Sequence, residues 1–185
     1  MNLVILLSIV SALHIVQAIA FIIQYRVNKT YNGIGWWTIG FIMIAIGLTS
    51  SLLRKIPAIE TEIIILSNIF ILSSVILIYI GCLRFFNLKE NKYFIISYLT
   101  VYSILLGFFA VIQNNMAVRG IIIAISIGLF TFLTGSCLRI NRFKAISTTA
   151  IYTSSVFYII TAYYFFRAGS IFFFPDNPNY FTPTP

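Results

Sequence analysis

Few side chains in this 185-residue chain could take part in chemistry, and they lie far apart in the sequence. The single histidine, His14, is followed three residues later by Gln17, so both would share one helix face and could hydrogen-bond into a neighbouring helix. One histidine without nearby ligands makes no metal centre. The two cysteines, Cys82 and Cys137, are too few and too far apart for a zinc site or a disulfide framework. We therefore expect no metal and no other cofactor.

Catalytic motifs are missing as well. The sequence contains no G-x-S-x-G, no H-E-x-x-H and no glycine-rich phosphate loop. An enzyme acting on lipid would need a nucleophile or a metal cluster at one membrane interface, and neither is present. The four carboxylates, Glu60, Glu62, Glu90 and Asp176, all lie at or beyond the ends of apolar segments, whereas ion-coupled transporters usually place one at mid-membrane. We expect no enzymatic activity in this chain, and ion-driven transport is disfavoured.

The composition indicates an integral membrane protein. Hydrophobic residues make up 60% of the chain, the mean hydropathy is +1.00 and only 9% of residues are charged, against about 25% in soluble domains. The formal net charge is +8, but the basic residues are scattered between apolar runs rather than gathered on one surface. We therefore expect a lipid bilayer as the partner and no nucleic acid.

Six apolar segments are each long enough to cross a bilayer. Because an open strand in lipid would leave backbone groups unpaired, all six are expected to be helices. The expected fold is an all-α integral membrane bundle forming a single domain over residues 1–185. The predicted helices cover residues 2–24, 35–53, 62–84, 93–113, 120–140 and 146–167.

The basic residues predict the orientation of the bundle. Eight of the twelve Lys and Arg residues follow the first, third and fifth segments, so those loops should be cytoplasmic. Arg26 and Lys29 follow the first segment, which favours a retained helix over a cleaved signal peptide. The N-terminus is then outside, residues 168–185 form an external loop, and the protein lies in the inner or plasma membrane as a multi-pass protein.

Two polar positions fall near the outer ends of predicted helices. Ser67 and Asn68 enter the membrane early in the third segment, where an amide needs a hydrogen-bonding partner. Arg119 precedes the fifth segment and follows the polar run of residues 113–115. Asn68 and Arg119 are therefore candidates for contact with an extracytoplasmic ligand or a neighbouring helix.

The fifth and sixth segments carry signals for helix packing. Gly120, Ala124 and Gly128 recur every four residues, which leaves a groove for a neighbouring backbone. In the sixth segment Tyr152 and Tyr158 lie near one another on the helix surface. They could line a cavity, although hydroxyl groups in membrane helices more often face the bundle.

The chain also resembles a known family. The residues that match are Trp37 and Gly40 in the second segment, Asn68, Tyr79, Gly81, Arg84 and Phe86 in and after the third, and Arg119 before the fifth. Over about residues 25–185 the chain resembles the N-terminal multi-helix (7TM-type) sensor region of bacterial and archaeal signalling proteins. In those proteins such regions precede cytoplasmic PAS, histidine-kinase or GGDEF diguanylate-cyclase modules.

The resemblance implies a sensory input domain for signal transduction. It would respond to an unidentified stimulus and regulate a cytoplasmic output module that this chain lacks, and a second copy of the chain is a further candidate partner. The final "FTPTP" resembles the lead-in to a seventh helix, so the chain is expected to be truncated, and the full-length protein would be a diguanylate cyclase or a histidine kinase. The alternative is a small carrier or channel, with a continuous polar cavity lined by His14, Gln17, Asn68 and Tyr152.

Overall fold

The computed structural model describes residues 3–28, 31–140 and 147–173. Within these ranges the chain forms helices and no strand, and six of the helices are long and apolar enough to cross a membrane. The six are α1 (Leu3–Val27), α2 (Ile34–Ser50), α3 (Glu60–Phe85), α4 (Lys92–Gly107), α5 (Met116–Ile140) and α6 (Ser147–Phe173). The prediction of an all-α, multi-pass membrane bundle is confirmed.

The last helix is longer than the sequence predicts. The expected end was residue 167, with an external loop from 168, but α6 continues to Phe173. The added residues are apolar or small and include no proline, whereas Pro175 disfavours helical backbone in the residue before it. The prediction of a loop at 168–173 was therefore wrong, and the stretch PDNPNYFTPTP at 175–185 lies outside the described residues.

Helices α3 and α5 form the centre of the bundle. Half of the span of α5 and a third of that of α3 are buried, against about one tenth for α1 and α6. Phe130 of α5 is fully buried, with its ring centroid 5.2 Å from that of Tyr98 and 6.0 Å from that of Tyr79. Aromatic rings at these separations pack favourably, so α3, α4 and α5 share one core.

Small residues at intervals of seven form the contact between α2 and α3. A Cβ added at Gly33, Gly40 or Gly47 would meet the backbone carbonyl of a residue on the antiparallel α3, and those residues are again spaced by seven. The facing pairs are Gly33 with Gly81, Gly40 with Ser74, and Gly47 with Ser67. Trp37 lies against Gly81 and donates a hydrogen bond from Nε1 to the carbonyl of Ile78, 3.1 Å away. The absence of large side chains brings the two backbones together.

The small residues of α5 contact the antiparallel α6, as a helix-packing role requires. A Cβ at Gly120 would meet the Ile171 side chain at 3.0 Å, and one at Gly128 would meet the Phe165 ring at 3.4 Å. Ala124 between them is also buried. The groove predicted on α5 is thus filled by α6.

The two ends of the bundle carry different loops. We call the end with the α2–α3 connection (51–59) and the α4–α5 turn (113–115) the Arg54 end, and the end with the α3–α4 connection (86–91) the Arg84 end. Helix α3 runs from the Arg54 end to the Arg84 end over 26 residues. At 1.5 Å per residue its length is about 39 Å.

Candidate functional site

Most hydroxyl groups within the helices bond to their own backbone. Thr134 donates to the carbonyl of Phe130 at 2.8 Å, and Ser126 donates to that of Ile122 at 2.7 Å. A hydroxyl bonded one turn back needs no other partner in lipid. These residues therefore contribute to packing rather than to a polar pathway.

His14 and Gln17 do not reach a neighbouring helix together. The Nδ1 of His14 lies 2.8 Å from the carbonyl oxygen of Val10 in the same helix, and Gln17 is exposed. In this structure His14 therefore bonds within its own helix rather than to a partner helix. The geometry follows from α1 packing mainly against α2 with most of its surface turned outward.

Asn68, Tyr152 and Tyr158 also lie apart. Asn68 is buried and donates from Nδ2 to the carbonyl of Ile64 at 2.7 Å. Tyr158 faces α5, its hydroxyl 3.2 Å from that of Ser136, whereas Tyr152 is 70% exposed on the outside of α6. The four side chains expected to line a carrier cavity, His14, Gln17, Asn68 and Tyr152, therefore do not converge.

A polar cluster does form at the Arg54 end, and the turn after α2 positions its first member. Ser50 and Ser51 both donate to the carbonyl of Gly47, and a 3₁₀ turn over Ser51–Lys55 follows. Pro57 then holds Ile56 in extended backbone. This tight reversal directs Arg54 toward α3, where its Nη2 donates to the Ser67 hydroxyl at 2.7 Å.

The second member of the cluster, Arg119, lies in the first turn of α5. A π turn over Phe108–Ile112 ends α4, and Asn114 then adopts a positive φ of 43°. The Asn115 side chain accepts a hydrogen bond from the backbone N–H of Val118 at 3.0 Å, as a helix N-cap does. Arg119 is only 6% exposed, although the preceding residues 113–115 are exposed.

These contacts place Arg54 against Ser67 of α3 and Arg119 in the first turn of α5, and we call Arg54, Ser67 and Arg119 the basic cluster. The charges of Arg54 and Arg119 repel one another, and the exposed carboxylate of Glu60 attracts both. Among the described residues neither arginine has a carboxylate within ion-pair distance. The cluster is therefore a partly buried concentration of positive charge.

Comparison with known proteins does not assign a role to this cluster. The chain matches no protein-family model, no curated protein and no solved structure. The role of the basic cluster therefore has to follow from its own geometry and charge.

The Arg84 end holds a different arrangement, in which the charges are paired. The Nη2 of Arg84 donates to Oε1 of Glu90 at 2.6 Å, and the Glu90 side chain is 6% exposed. Burial raises the pKa of Glu90, but the backbone N–H of Glu90 and the charge and hydrogen bond of Arg84 outweigh it, so the pKa lies below its usual value. A neighbouring groove of about 330 Å³ lined by Asn32, Trp36 and Lys89 opens to the surroundings. This ion pair fixes the loop after α3.

Glu90→Gln should lower stability by about 1 kcal/mol near neutral pH, since the pair is partly exposed. Because folding lowers the pKa of Glu90, the carboxylate stabilises the protein above its unfolded pKa of about 4.3, and the effect is lost as pH falls through the folded value. Thermal unfolding of the wild type and the variant from pH 7 to pH 3 measures this difference. Glu62→Gln, at an exposed carboxylate without an ion pair, is the control. An equal loss in both variants, or one independent of pH, would contradict the assignment.

The sequence pattern pointed to Arg119 but not to Arg54. The sequence feature that could have identified Arg54 is the spacing of the small residues in α2 and α3. In both helices they recur every seven residues, and this repeat places Gly47 opposite Ser67. Arg54 follows Gly47 by two helical turns and precedes Pro57 by three residues, so it must lie near Ser67.

Proposed function

We propose that this chain is the membrane-embedded sensory input domain of a signal-transduction protein. A stimulus at the Arg54 end changes the packing of the bundle, and the change reaches a cytoplasmic output module through the Arg84 end. The observation that carries the proposal is the course of α3. It contacts the basic cluster through Ser67 near its first residues and the ion-paired loop through Arg84 at its last turn.

The α2–α3 contact supports the proposal because it links the two ends of the bundle. Small residues hold the two backbones close from Ser67 to Gly81, so α2 must follow a shift of α3 by one or two ångströms between two packings of the bundle. A ligand changes the equilibrium between two packings only if it binds one more tightly than the other. The charges of Arg54, in the turn after α2, and of Arg119, in α5, are the groups through which that difference in affinity arises.

The orientation belongs to the proposal as well: the N-terminus and the Arg54 end lie outside, and the Arg84 end faces the cytoplasm. Lys89→Cys, in the exposed α3–α4 connection, should then resist a membrane-impermeant thiol reagent in intact cells and react after lysis. Gln113→Cys, exposed at the Arg54 end, should react in intact cells. The native Cys82 and Cys137 are buried and give little background. Reaction of residue 89 in intact cells would reverse the orientation.

The gene provides the most direct test of the sensor role. We expect the reading frame beyond Pro185 to encode one further membrane helix, followed by a cytoplasmic PAS, histidine-kinase or GGDEF module. A native stop codon after Pro185 would leave the bundle without a covalent route to an output and would contradict the proposal.

A further inference from the structure

We infer that Arg54 and Arg119 bind an oxyanion at the Arg54 end, either a small soluble phosphate or carboxylate or the phosphate of an anionic lipid headgroup. The recognised chemistry is the same in each case. A guanidinium presents a planar fork of N–H donors that matches two oxygens of a carboxylate or phosphate. Two such groups lie at this end of the bundle, Arg54 against Ser67 of α3 and Arg119 in the first turn of α5, near enough for their charges to repel.

The hydrogen-bonding groups of the two arginines are incompletely used within the protein. The Nε of Arg54 is buried and has no hydrogen-bond partner, and the Ser67 hydroxyl is the acceptor for its Nη2. Over the part of the chain that the structure describes, the guanidinium of Arg119 makes no hydrogen bond or ion pair, and its nitrogens reach the surface although only 6% of the residue is exposed. The buried Nε of Arg54 requires a partner, and the accessible N–H groups of Arg119 are free to bind the same one.

The charge balance favours an anion as that partner. Arg119 lies in the first turn of α5, where the helix dipole already disfavours a cation, and it also repels Arg54. Glu60 attracts both arginines from an exposed position outside ion-pair distance, so these three groups carry a net charge of about +1. A bound oxyanion offsets the repulsion, satisfies the free N–H groups and suits the positive end of α5.

The role of this site as the input of a sensor rests on the proposed function, whereas anion binding itself can be measured on this chain alone. In the first arm the protein is reconstituted in phosphatidylcholine nanodiscs, in a buffer whose only anion is chloride. It is then titrated with inorganic phosphate and, separately, with succinate, and binding is measured by calorimetry. In a second arm it is reconstituted with phosphatidylglycerol, and retained lipid is counted by native mass spectrometry. Binding in the first arm identifies a soluble oxyanion, and retention in the second identifies a lipid headgroup.

Three variants decide whether the basic cluster is the site. Arg119→Leu should weaken binding at least about tenfold, and Arg119→Lys, which keeps the charge but loses the fork, should weaken it less. Arg167→Leu, at an exposed arginine of α6, is the matched control and should bind as the wild type does. The inference is overturned if neither arm shows binding, or if Arg119→Leu binds as tightly as Arg167→Leu. If the gene encodes an output module but the protein binds no anion, only this inference fails. If the protein binds an anion but the gene encodes no output module, only the sensor role fails.

Discussion

Gly81→Ala is expected to lower the free energy of unfolding by roughly 3 kcal/mol, about 2 from overpacking and about 1 from a lost hydrogen bond. The added methyl group would overlap the Trp37 ring, and the Gly33 carbonyl lies only 3.1 Å from the same point. To make room, the ring must leave the position from which it donates to the Ile78 carbonyl. Denaturation in detergent, followed by tryptophan fluorescence, measures the loss.

Gly169→Ala in α6 is the matched control for this prediction. Among the described residues, no atom beyond the adjacent residues and the nearby backbone of α6 lies within 4 Å of a Cβ at that glycine, so the substitution adds a methyl group in open space. It should leave stability unchanged or raise it by up to about 1 kcal/mol through helix propensity. Equal effects at positions 81 and 169 would show that close packing of α2 on α3 does not hold the bundle together.

Arg119→Leu is expected to stabilise the anion-free protein by about 1–3 kcal/mol. Arg119 is 6% exposed as a residue, repels Arg54 and lacks a hydrogen-bonding partner among the described residues, so removing its partly buried charge relieves repulsion and partial desolvation together. A leucine of similar length can fill the apolar part of the space. Thermal unfolding in phosphate-free detergent, with chloride as the only anion, measures the gain.

The exposed Arg167 again provides the comparison, since Arg167→Leu should change stability by less than about 0.5 kcal/mol. Stabilisation confined to position 119 would mark a residue whose charge serves binding at the expense of stability. A loss of stability in Arg119→Leu that exceeds the loss in Arg167→Leu would show instead that Arg119 is satisfied within the fold.

The existence of the helices could be predicted because crossing lipid imposes a length and an apolar composition on each segment. Their ends were less predictable. Helix α5 begins at Met116, four residues before its predicted start, because Asn115 caps it, and α6 extends to Phe173. Hydropathy alone does not indicate where a helix is capped or how far it can extend before the next proline.

The neighbours of each helix could not be read from hydropathy, so the partners of its polar and aromatic side chains could not be predicted. Trp37 entered the sequence analysis only through the family resemblance, and its ring packs on Gly81. Asn68 was a candidate for contact with a ligand or a neighbouring helix; its amide bonds to its own helix, while the adjacent Ser67 reaches Arg54. The partner of a polar side chain depends on which helices adjoin, and in this bundle the small residues of α2 and α3 decide that.

We propose that the two ends of the bundle are coupled through α3. Spin labels are attached at positions 89 and 140, since Lys89 and Ile140 are both exposed at the Arg84 end, in a protein whose Cys82 and Cys137 are replaced by alanine. Pulsed electron paramagnetic resonance in nanodiscs then measures the distance between the two labels. We predict two populations of this distance that differ by about 2 Å or more. The ratio of the two populations should change in Arg119→Leu, at the opposite end of the bundle, and should not change in Arg167→Leu. A single distance, unchanged by Arg119→Leu, would contradict the account.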